Sequence, residues 1–210
     1  MDIISTRAYN VRDLGHIMSL LEALTPSERN FGKHLDFEKG QILYHEGDTC
    51  PGIFIVSRGK MKIVSFTLSG REVVYNQMGE GECFGGNLCF SASPHFRGAV
   101  IGESAGEVLL FEEEDALKIM GENQAFLRKF LLQQSEFAKS LNFKIKLLSF
   151  SSARERVEYF LQSHEGKYTY STITGLSETL MLSREALSRL LHEMEREGAL
   201  SWEKKNILLK

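Results

Sequence analysis

Short apolar runs of β-forming residues alternate with polar, glycine-containing turns between residues 35 and 111. Such runs are typical of β-strands, and glycine supplies the backbone freedom that tight turns require. The recurring spacing of runs and turns predicts an all-β sandwich or roll. The predicted strands cover residues 42–44, 53–56, 61–64, 73–75 and 108–111.

Helical periodicity flanks this region on both sides. Apolar residues at helical spacing predict a first helix over residues 11–24. Thr25 and Glu28 then predict the start of a second helix, because a threonine N-cap followed three residues later by glutamate forms a capping box. The acidic residues 112–115 mark another helix start, where negative charge is favourable, and Gly121 is expected to end that helix.

A long helix predicted over residues 123–149 carries a seven-residue apolar repeat. Its positions alternate in steps of four and three residues, which is the spacing of a coiled-coil seam. The predicted homodimer interface consists of Leu127, Leu131, Gln134, Ala138, Leu141, Ile145 and Leu148. Phe126, Phe130 and Phe137 lie beside this seam and are expected to pack against the β-roll. The alternative is a helix packed within its own chain, but two apolar faces on one helix favour the dimer.

The C-terminal region combines helices with a short hairpin. Ser152 and Glu155 form a second capping-box pattern, further helices follow, and Gly198 is expected to stop the last one. A hairpin over residues 199–209 completes a winged helix-turn-helix. The predicted fold class is therefore α+β, with a β-roll domain and flanking helices (1–122), a dimerisation helix (123–149) and a winged helix-turn-helix (150–210).

The last of these helices has two chemically different faces. Ser183 is a good N-cap, and an apolar stripe at helical spacing consists of Leu187, Leu190, Leu191 and Met194. The opposite face carries Arg184, Glu185, Ser188, Arg189 and His192. Arginine pairs with guanine O6 and N7, and glutamate accepts from cytosine N4, so this face suits the DNA major groove. The alternative is a solvated surface, since mixtures of arginine and glutamate are common on helices.

Composition and charge restrict the class of protein. No apolar run reaches about 18 residues and the N-terminus lacks the order of a signal peptide, so neither a membrane span nor secretion is predicted. Cys50, Cys83 and Cys89 are odd in number and widely spaced, which predicts a reducing cytoplasm rather than a disulfide framework. The net charge is −3, and residues 151–210 hold nine basic and nine acidic residues. Non-specific DNA affinity is therefore expected to be modest.

Several short motifs follow one another in a specific order: KGQILYHEGD (39–48), GKMKI (59–63), GREVV (70–74), GECFG (81–85) and LSREALSRLL (182–191). Together with the order of domains, they resemble the Crp/Fnr family of bacterial transcription regulators over nearly the whole chain. The resemblance implies a sensory jelly-roll domain of the cyclic-nucleotide-binding type. It also implies a homodimer on a palindromic site in double-stranded DNA, with RNA polymerase as a further partner if the protein is an activator.

The same resemblance implies specific DNA contacts. The base-reading positions fall on Arg184, Glu185, Ser188 and Arg189. The phosphate contacts fall on Thr172, Lys204 and Lys205. The Glu-x-x-Ser-Arg pattern is similar to that of members that recognise a TGA-containing half-site. The family usually has glycine in the helix-turn-helix turn, where this chain has Met181, so either Met181 adopts a positive φ or the turn differs from that of the family.

The resemblance also places an effector pocket in the β-roll. Its residues are Gly85, Gly86, Asn87, Leu88, Arg97 and Gly98. In members that bind cyclic nucleotides, a Gly-Glu pair binds the ribose and an arginine neutralises the phosphate. Asn87 stands where that glutamate is expected and supplies no charge-assisted acceptor. The sequence therefore disfavours cyclic AMP, and favours another small molecule, or none, in this pocket.

Other signals of the family depend on residues that can be checked. Iron–sulfur sensors use clustered N-terminal cysteines, and no cysteine precedes Cys50, so no iron–sulfur cluster is expected. Haem sensing of nitric oxide or carbon monoxide stays open through the candidate axial ligands His16, His34, His45, His95, His164 and His192. Cys83 and Cys89 are candidate redox-sensitive thiols, although buried inert thiols are the default.

Two rival functions follow from the same residues. The first is a cyclic-nucleotide-binding module without a DNA role, against which the winged domain argues. The second is an enzyme with a cupin-like pocket, which would need several converging metal ligands that the sequence does not supply. The sequence therefore predicts no catalytic residue and no metal site.

Overall fold

The computed structural model describes residues 19–68, 70 and 72–210. The helix predicted from residue 11 lies largely outside these residues, as do His16 and Arg71, and its described end, Leu21–Ala23, is a 3₁₀ turn. The chain forms two compact units that divide between residues 137 and 138. Within the described residues, no helix has the length and apolar character needed to cross a bilayer.

The first unit is a β-roll of two four-stranded antiparallel sheets, with strand orders β1-β8-β3-β6 and β2-β7-β4-β5. Its elements are α1 (Pro26–Phe31), β1 (Lys33–Phe37), β2 (Ile42–Tyr44), β3 (Gly52–Arg58), β4 (Met61–Phe66), β5 (Glu72–Met78), β6 (Cys83–Phe84), α2 (Gly86–Cys89), β7 (Ala99–Gly102) and β8 (Gly106–Glu112). Thr25 and Glu28 form the predicted capping box of α1. The short helix α2 was not predicted from the sequence.

Apolar side chains of both sheets meet in one core. Residues 108–111 of β8 are all buried rather than alternating. The reason is that β8 lies between β1 and β3 in its sheet, and helix α3 (Glu113–Glu122) packs on that sheet, contributing Ala116 and Ile119 to the same core. Burial on both faces converts an alternating pattern into a continuous apolar run.

The prediction that Gly121 ends its helix is wrong, because α3 continues through it to Glu122. Asn123 ends the helix instead. Its Oδ1 accepts a hydrogen bond from the Phe126 amide at 2.9 Å, which caps the start of α4 (Gln124–Leu148), and its side-chain amide donates to the Ala23 carbonyl at 2.8 Å. A side chain that satisfies the backbone on both sides sets this boundary more strongly than the low helix propensity of glycine.

The second unit consists of α5 (Ala153–Ser163), β9 (Lys167–Thr169), α6 (Ile173–Thr179), α7 (Arg184–Arg196), β10 (Leu200–Glu203) and β11 (Asn206–Leu209), preceded by the C-terminal part of α4. The predicted caps Ser152 and Ser183 are both present. The predicted terminal hairpin is joined by β9, which gives a three-stranded sheet in the order β10-β11-β9. The apolar stripe of α7 lies in the core of this unit, with Leu187, Leu191 and Met194 inaccessible to solvent.

Candidate nucleic-acid interface

A cleft of about 350 Å³ lies in the second unit, between the start of α6, the start of α7 and the β10–β11 turn. Its lining residues are Tyr170, Ser171, Thr172, Ile173, Arg184, Ser188, Trp202, Lys204 and Lys205. Three of these nine side chains are cationic and none is acidic. The cleft therefore offers positive charge and hydroxyl groups on an apolar floor, a combination that suits a phosphate backbone.

The structure brings together five of the seven residues predicted to contact DNA. Thr172 caps α6, with its Oγ1 accepting from the Gly175 amide at 3.1 Å. The five that line the cleft are Thr172, Arg184, Ser188, Lys204 and Lys205. The other two, Glu185 and Arg189, follow Arg184 and Ser188 on α7 and are exposed beside the cleft. All seven thus belong to one surface, although Glu185 and Arg189 do not line the cleft itself.

The turn between α6 and α7 has one of the two geometries expected from the sequence. Met181 has φ 55°, so the first alternative, a positive φ at this residue, is confirmed. The Leu182 amide donates to the Ser177 carbonyl at 2.9 Å and the Met181 amide donates to the Glu178 carbonyl at 3.1 Å. This pair of bonds is a Schellman motif, in which the left-handed position is usually glycine. The Arg156 guanidinium donates to the Met181 carbonyl at 3.4 Å and adds a further bond to the turn.

The cations of this surface are available for a ligand. Arg184, Arg189, Lys204 and Lys205 are exposed, and no ion pair joins any of them to another residue in the described part of the chain. Arg154, by contrast, pairs with Glu158 at 3.0 Å and with Glu197 at 2.5 Å. Three cations that make no ion pair with the described residues, Arg184, Lys204 and Lys205, therefore lie together at the cleft, although basic and acidic residues are equal in number over residues 151–210.

The sequence analysis missed four cleft residues: Tyr170, Ser171, Ile173 and Trp202. Tyr170 is buried, and its hydroxyl accepts from the Trp202 indole N–H at 2.8 Å. Trp202 lies on β10, and its ring packs against that of His192 on α7 with centroids 4.7 Å apart. An aromatic residue in a wing strand next to two lysines was a usable signal for this position, but Tyr170 could be placed only once β9 was known to join the sheet.

The predicted effector residues fall into two groups, 85–88 and 97–98, and residues 48–50 bond to Gly85 of the first group and to the segment just before the second. Gly85 has φ 81°, and the Cys50 thiol donates to its carbonyl at 3.7 Å. On the other side, the Phe96 amide donates to the Asp48 carbonyl at 2.9 Å and the Cys50 amide donates to the Pro94 carbonyl at 2.6 Å. Asn87 and Arg97 are exposed, Leu88 is half-buried, and Gly85, Gly86 and Gly98 are buried.

Close packing explains why these glycines are buried. A Cβ at Gly86 would lie 2.7 Å from the Phe130 ring of α4, and one at Gly98 would lie 2.5 Å from the Val64 carbonyl oxygen. Nearby, the rings of Tyr44, Phe54, Phe84 and Phe96 pack on one another with centroids 4.6 to 6.2 Å apart. Gly85 lies against one ring of this aromatic cluster, since a Cβ there would lie 3.1 Å from the Phe54 ring.

Helix α4 is fixed to this part of the roll by hydrogen bonds. The buried Gln133 donates to the Gly81 carbonyl at 2.9 Å and accepts from the Cys83 amide at 3.0 Å, while Gln134 donates to the Cys83 sulfur at 3.5 Å. Phe126 and Phe130 are buried in the roll core, as predicted. The segment before α2 and the first half of α4 therefore form one hydrogen-bonded assembly.

The cysteine thiols are poorly suited to ionise. Burial raises the pKa of Cys83 and of Cys89 to about 12, and it also raises the pKa of Cys50. All three are free thiols. Among the described residues, no three His, Cys, Asp or Glu side chains are grouped as a metal site.

The predicted dimer seam divides into two sets. Leu127 is half-buried against the roll core, and Gln134 contacts Cys83, so both have partners in their own chain. The other five, Leu131, Ala138, Leu141, Ile145 and Leu148, are exposed. Leu131 and Ile145 leave 53% and 66% of their surface in solvent, which is unusual for large aliphatic residues at regular spacing on one helix.

Comparison with known proteins agrees with this architecture. The cyclic nucleotide-binding domain family matches residues 34–123. A curated relative, the cyclic AMP receptor protein of Thermus thermophilus, is 27% identical over 174 residues, which cover 77% of this chain and 76% of the relative.

Solved structures show the same fold at lower identity. A CooA variant from Carboxydothermus hydrogenoformans has a TM-score of 0.66 at 18% identity, covering 92% of this chain and 91% of that one. A putative transcriptional regulator of the Crp/Fnr family from Eubacterium rectale has a TM-score of 0.52 at 18% identity, covering 90% and 92%. Residues 34–123 thus match the cyclic nucleotide-binding domain family, and the chain is similar along most of its length to transcription regulators of the Crp/Fnr family.

Proposed function

We propose that this protein is a sequence-specific, homodimeric DNA-binding regulator controlled by a signal received at the β-roll. The observation that carries the proposal is the cleft of the second unit, where Arg184, Lys204 and Lys205 meet hydroxyl groups and no acid. Phosphate recognition needs cations without competing protein partners, and base recognition needs a helix face of arginine, glutamate and serine. Both occur on the same surface.

The positions of the predicted residues suggest which of them contact the phosphate backbone and which contact the bases. Thr172, Lys204 and Lys205 border the cleft from both sides of α7 and are placed to contact the backbone. The exposed face at the start of α7 is placed to contact base edges. Each arginine that pairs with a guanine contributes about 1–3 kcal/mol of discrimination. Because a homodimer reads two half-sites, loss of one such arginine removes two contacts.

Homodimerisation is supported by the exposed stripe of α4. Burial of a leucine or isoleucine side chain stabilises by about 1.5–3 kcal/mol, so leaving Leu131, Leu141, Ile145 and Leu148 in water is costly. A second copy with the same seven-residue repeat is the partner that this spacing fits. The dimer also compensates for the lack of a basic excess over residues 151–210, because two linked DNA-binding domains gain effective concentration at two half-sites. RNA polymerase is a further partner if the protein activates.

The signal is proposed to act on α2 and its neighbours. Gly86 of α2 lies against Phe130 of α4, so a ligand or reaction that displaces α2 would also displace the dimer helix. A small molecule other than cyclic AMP, or a redox or gas signal, is favoured over the ligand for which the Thermus relative is named, because Asn87 carries no charge. The alternative without a DNA role is disfavoured by the cleft.

Haem sensing is kept as a second candidate on one observation. The buried Nδ1 of His95 has no hydrogen-bond partner among the described residues, so this ring nitrogen is not committed to another protein group. The packed rings of Tyr44 and Phe96 beside it, 4.9 Å apart, do not fit a porphyrin without rearrangement. The absorption spectrum of the purified protein tests whether haem is bound, because bound haem gives a Soret band.

The main proposal is tested by selecting binding sites from a random duplex library and measuring their affinity by fluorescence anisotropy. We expect an inverted repeat whose half-sites lie about 10 base pairs apart. Arg189→Ala should weaken binding to it at least about 30-fold, from two lost contacts of at least about 1 kcal/mol each. Arg196→Ala is the matched control, because Arg196 is exposed at the opposite end of α7. Unchanged affinity in Arg189→Ala would refute the assignment of the base-reading surface.

A further inference from the structure

The turn that carries the two cleft lysines has a backbone conformation that its residues disfavour. Glu203 pairs with Asn206, so Lys204 and Lys205 form a two-residue hairpin turn. Lys204 has φ 53°. Positive φ in such turns is normally supplied by glycine or asparagine. A lysine there is strained, so the turn must be held by contacts from elsewhere.

One residue supplies those contacts. The Tyr170 hydroxyl donates to the Lys204 carbonyl at 3.1 Å, and the Tyr170 amide donates to the Lys205 carbonyl at 3.0 Å. Both carbonyls of the turn are therefore bonded to a single residue that is itself buried. A turn with both carbonyls fixed has little freedom to rotate its two side chains away from the cleft.

Trp202 connects this anchor to the recognition helix. Its indole N–H donates to the Tyr170 hydroxyl at 2.8 Å, and its backbone amide donates to the Glu195 carboxylate at 2.9 Å. Its ring also packs on His192 of α7. A continuous set of contacts thus runs from α7 through Trp202 and Tyr170 to the lysine turn.

We propose that Tyr170, supported by Trp202, is a positioning residue that orients Lys204 and Lys205 toward the DNA backbone in register with the base-reading face of α7. The proposal rests on the proposed DNA-binding function and adds to it the residue that fixes the conformation of the β10–β11 turn. Tyr170 itself contacts no phosphate in this scheme, because its hydroxyl is committed to Trp202 and Lys204.

The test uses the full-length protein and a fluorescein-labelled duplex of mixed sequence, with binding measured as a function of salt. Each neutralised phosphate contributes about 0.9 to the slope of log affinity against log salt. Tyr170→Phe removes only the hydroxyl. We expect it to lower the slope by between about 1 and 3.6, the upper value being the loss of two lysines from each of two protomers. At low salt this corresponds to roughly tenfold weaker binding or more.

A double-mutant comparison separates positioning from a general structural effect. Tyr170→Phe should have no further effect in a protein that already carries Lys204→Ala and Lys205→Ala. Tyr159→Phe is the control, because the Tyr159 ring packs on Phe143 and Phe150 of the same unit, away from the turn. The emission of Trp202, the single tryptophan of the chain, reports whether Tyr170→Phe is folded and has lost its indole bond.

Two results overturn the inference while leaving DNA binding intact: a wild-type slope in Tyr170→Phe, or a loss that adds in full to that of the lysine pair. A wild-type protein that shows no salt-dependent binding to any duplex overturns the proposed function itself, and the positioning role with it.

Discussion

Replacing Met181 with glycine and with alanine measures the strain in the helix-turn-helix turn. Met181 occupies the left-handed position of a Schellman motif with φ 55°. Either substitution removes the half-buried methionine side chain, so the loss of its contacts is common to both variants. Only glycine also removes the Cβ that makes the left-handed conformation unfavourable.

The expected difference in unfolding free energy between the glycine and alanine variants follows from two opposing effects. The left-handed conformation costs an L-residue about 1–2 kcal/mol, whereas glycine loses about 0.5–1 kcal/mol through the greater freedom of its unfolded chain. Met181→Gly should therefore be more stable than Met181→Ala by about 1 kcal/mol. For a unit of this size, that difference raises the Tm by about 4–8 °C.

Urea unfolding followed by the fluorescence of Trp202 reports on the unit that contains the turn. Glu193, exposed in the middle of α7, provides a control of opposite sign: Glu193→Gly should be about 1 kcal/mol less stable than Glu193→Ala. If glycine is no more stable than alanine at position 181 while the Glu193 pair behaves as expected, the turn is not strained. The left-handed conformation of Met181 then carries no measurable cost in unfolding free energy.

Two further predictions concern charge and ionisation. Removing both cleft lysines in Lys204→Ala/Lys205→Ala should lower the slope of log affinity for duplex DNA against log salt by about 3.6. Lys167→Ala, outside the cleft, should leave that slope unchanged. Equal slopes in the wild type and both variants would contradict the assignment of the two lysines as phosphate contacts. For Cys83 and Cys89, a pKa raised from 9 to about 12 lowers the thiolate fraction near pH 8 about a thousandfold. Iodoacetamide, with the product measured by mass spectrometry, should therefore alkylate these thiols rapidly only in urea. Fast labelling of the native protein would contradict this and identify them as accessible, redox-sensitive thiols.

Local signals in the sequence predicted much of this fold. The capping boxes at Thr25 and Ser152 and the cap at Ser183 depend on residues three positions apart, and short-range chemistry of this kind can be recognised without the tertiary structure. The positive φ of Met181 was instead expected from the resemblance, because the family usually has glycine at that position. The five aligned cleft residues were predicted by resemblance and are brought together by the structure.

The errors have a common physical cause. Asn123, not Gly121, separates α3 from α4, because its side chain bonds to Ala23 one hundred residues away in sequence. Strand β9 could not be predicted because three residues become a strand only by pairing with β11. The role of Tyr170 depends on that pairing as well. Features decided by partners distant in sequence were the ones that local pattern could not supply.

The even balance of acidic and basic residues over 151–210 has a consequence for how the protein would search a genome. Random DNA offers about a millionfold excess of competing sites, and strongly basic proteins spend most of their time bound to them. Here Arg184, Lys204 and Lys205, which make no ion pair with the described residues, line one cleft, while Arg154 is neutralised by Glu158 and Glu197. A low background affinity leaves a larger fraction of molecules unbound, so occupancy of a true site depends less on protein abundance and more on the signal.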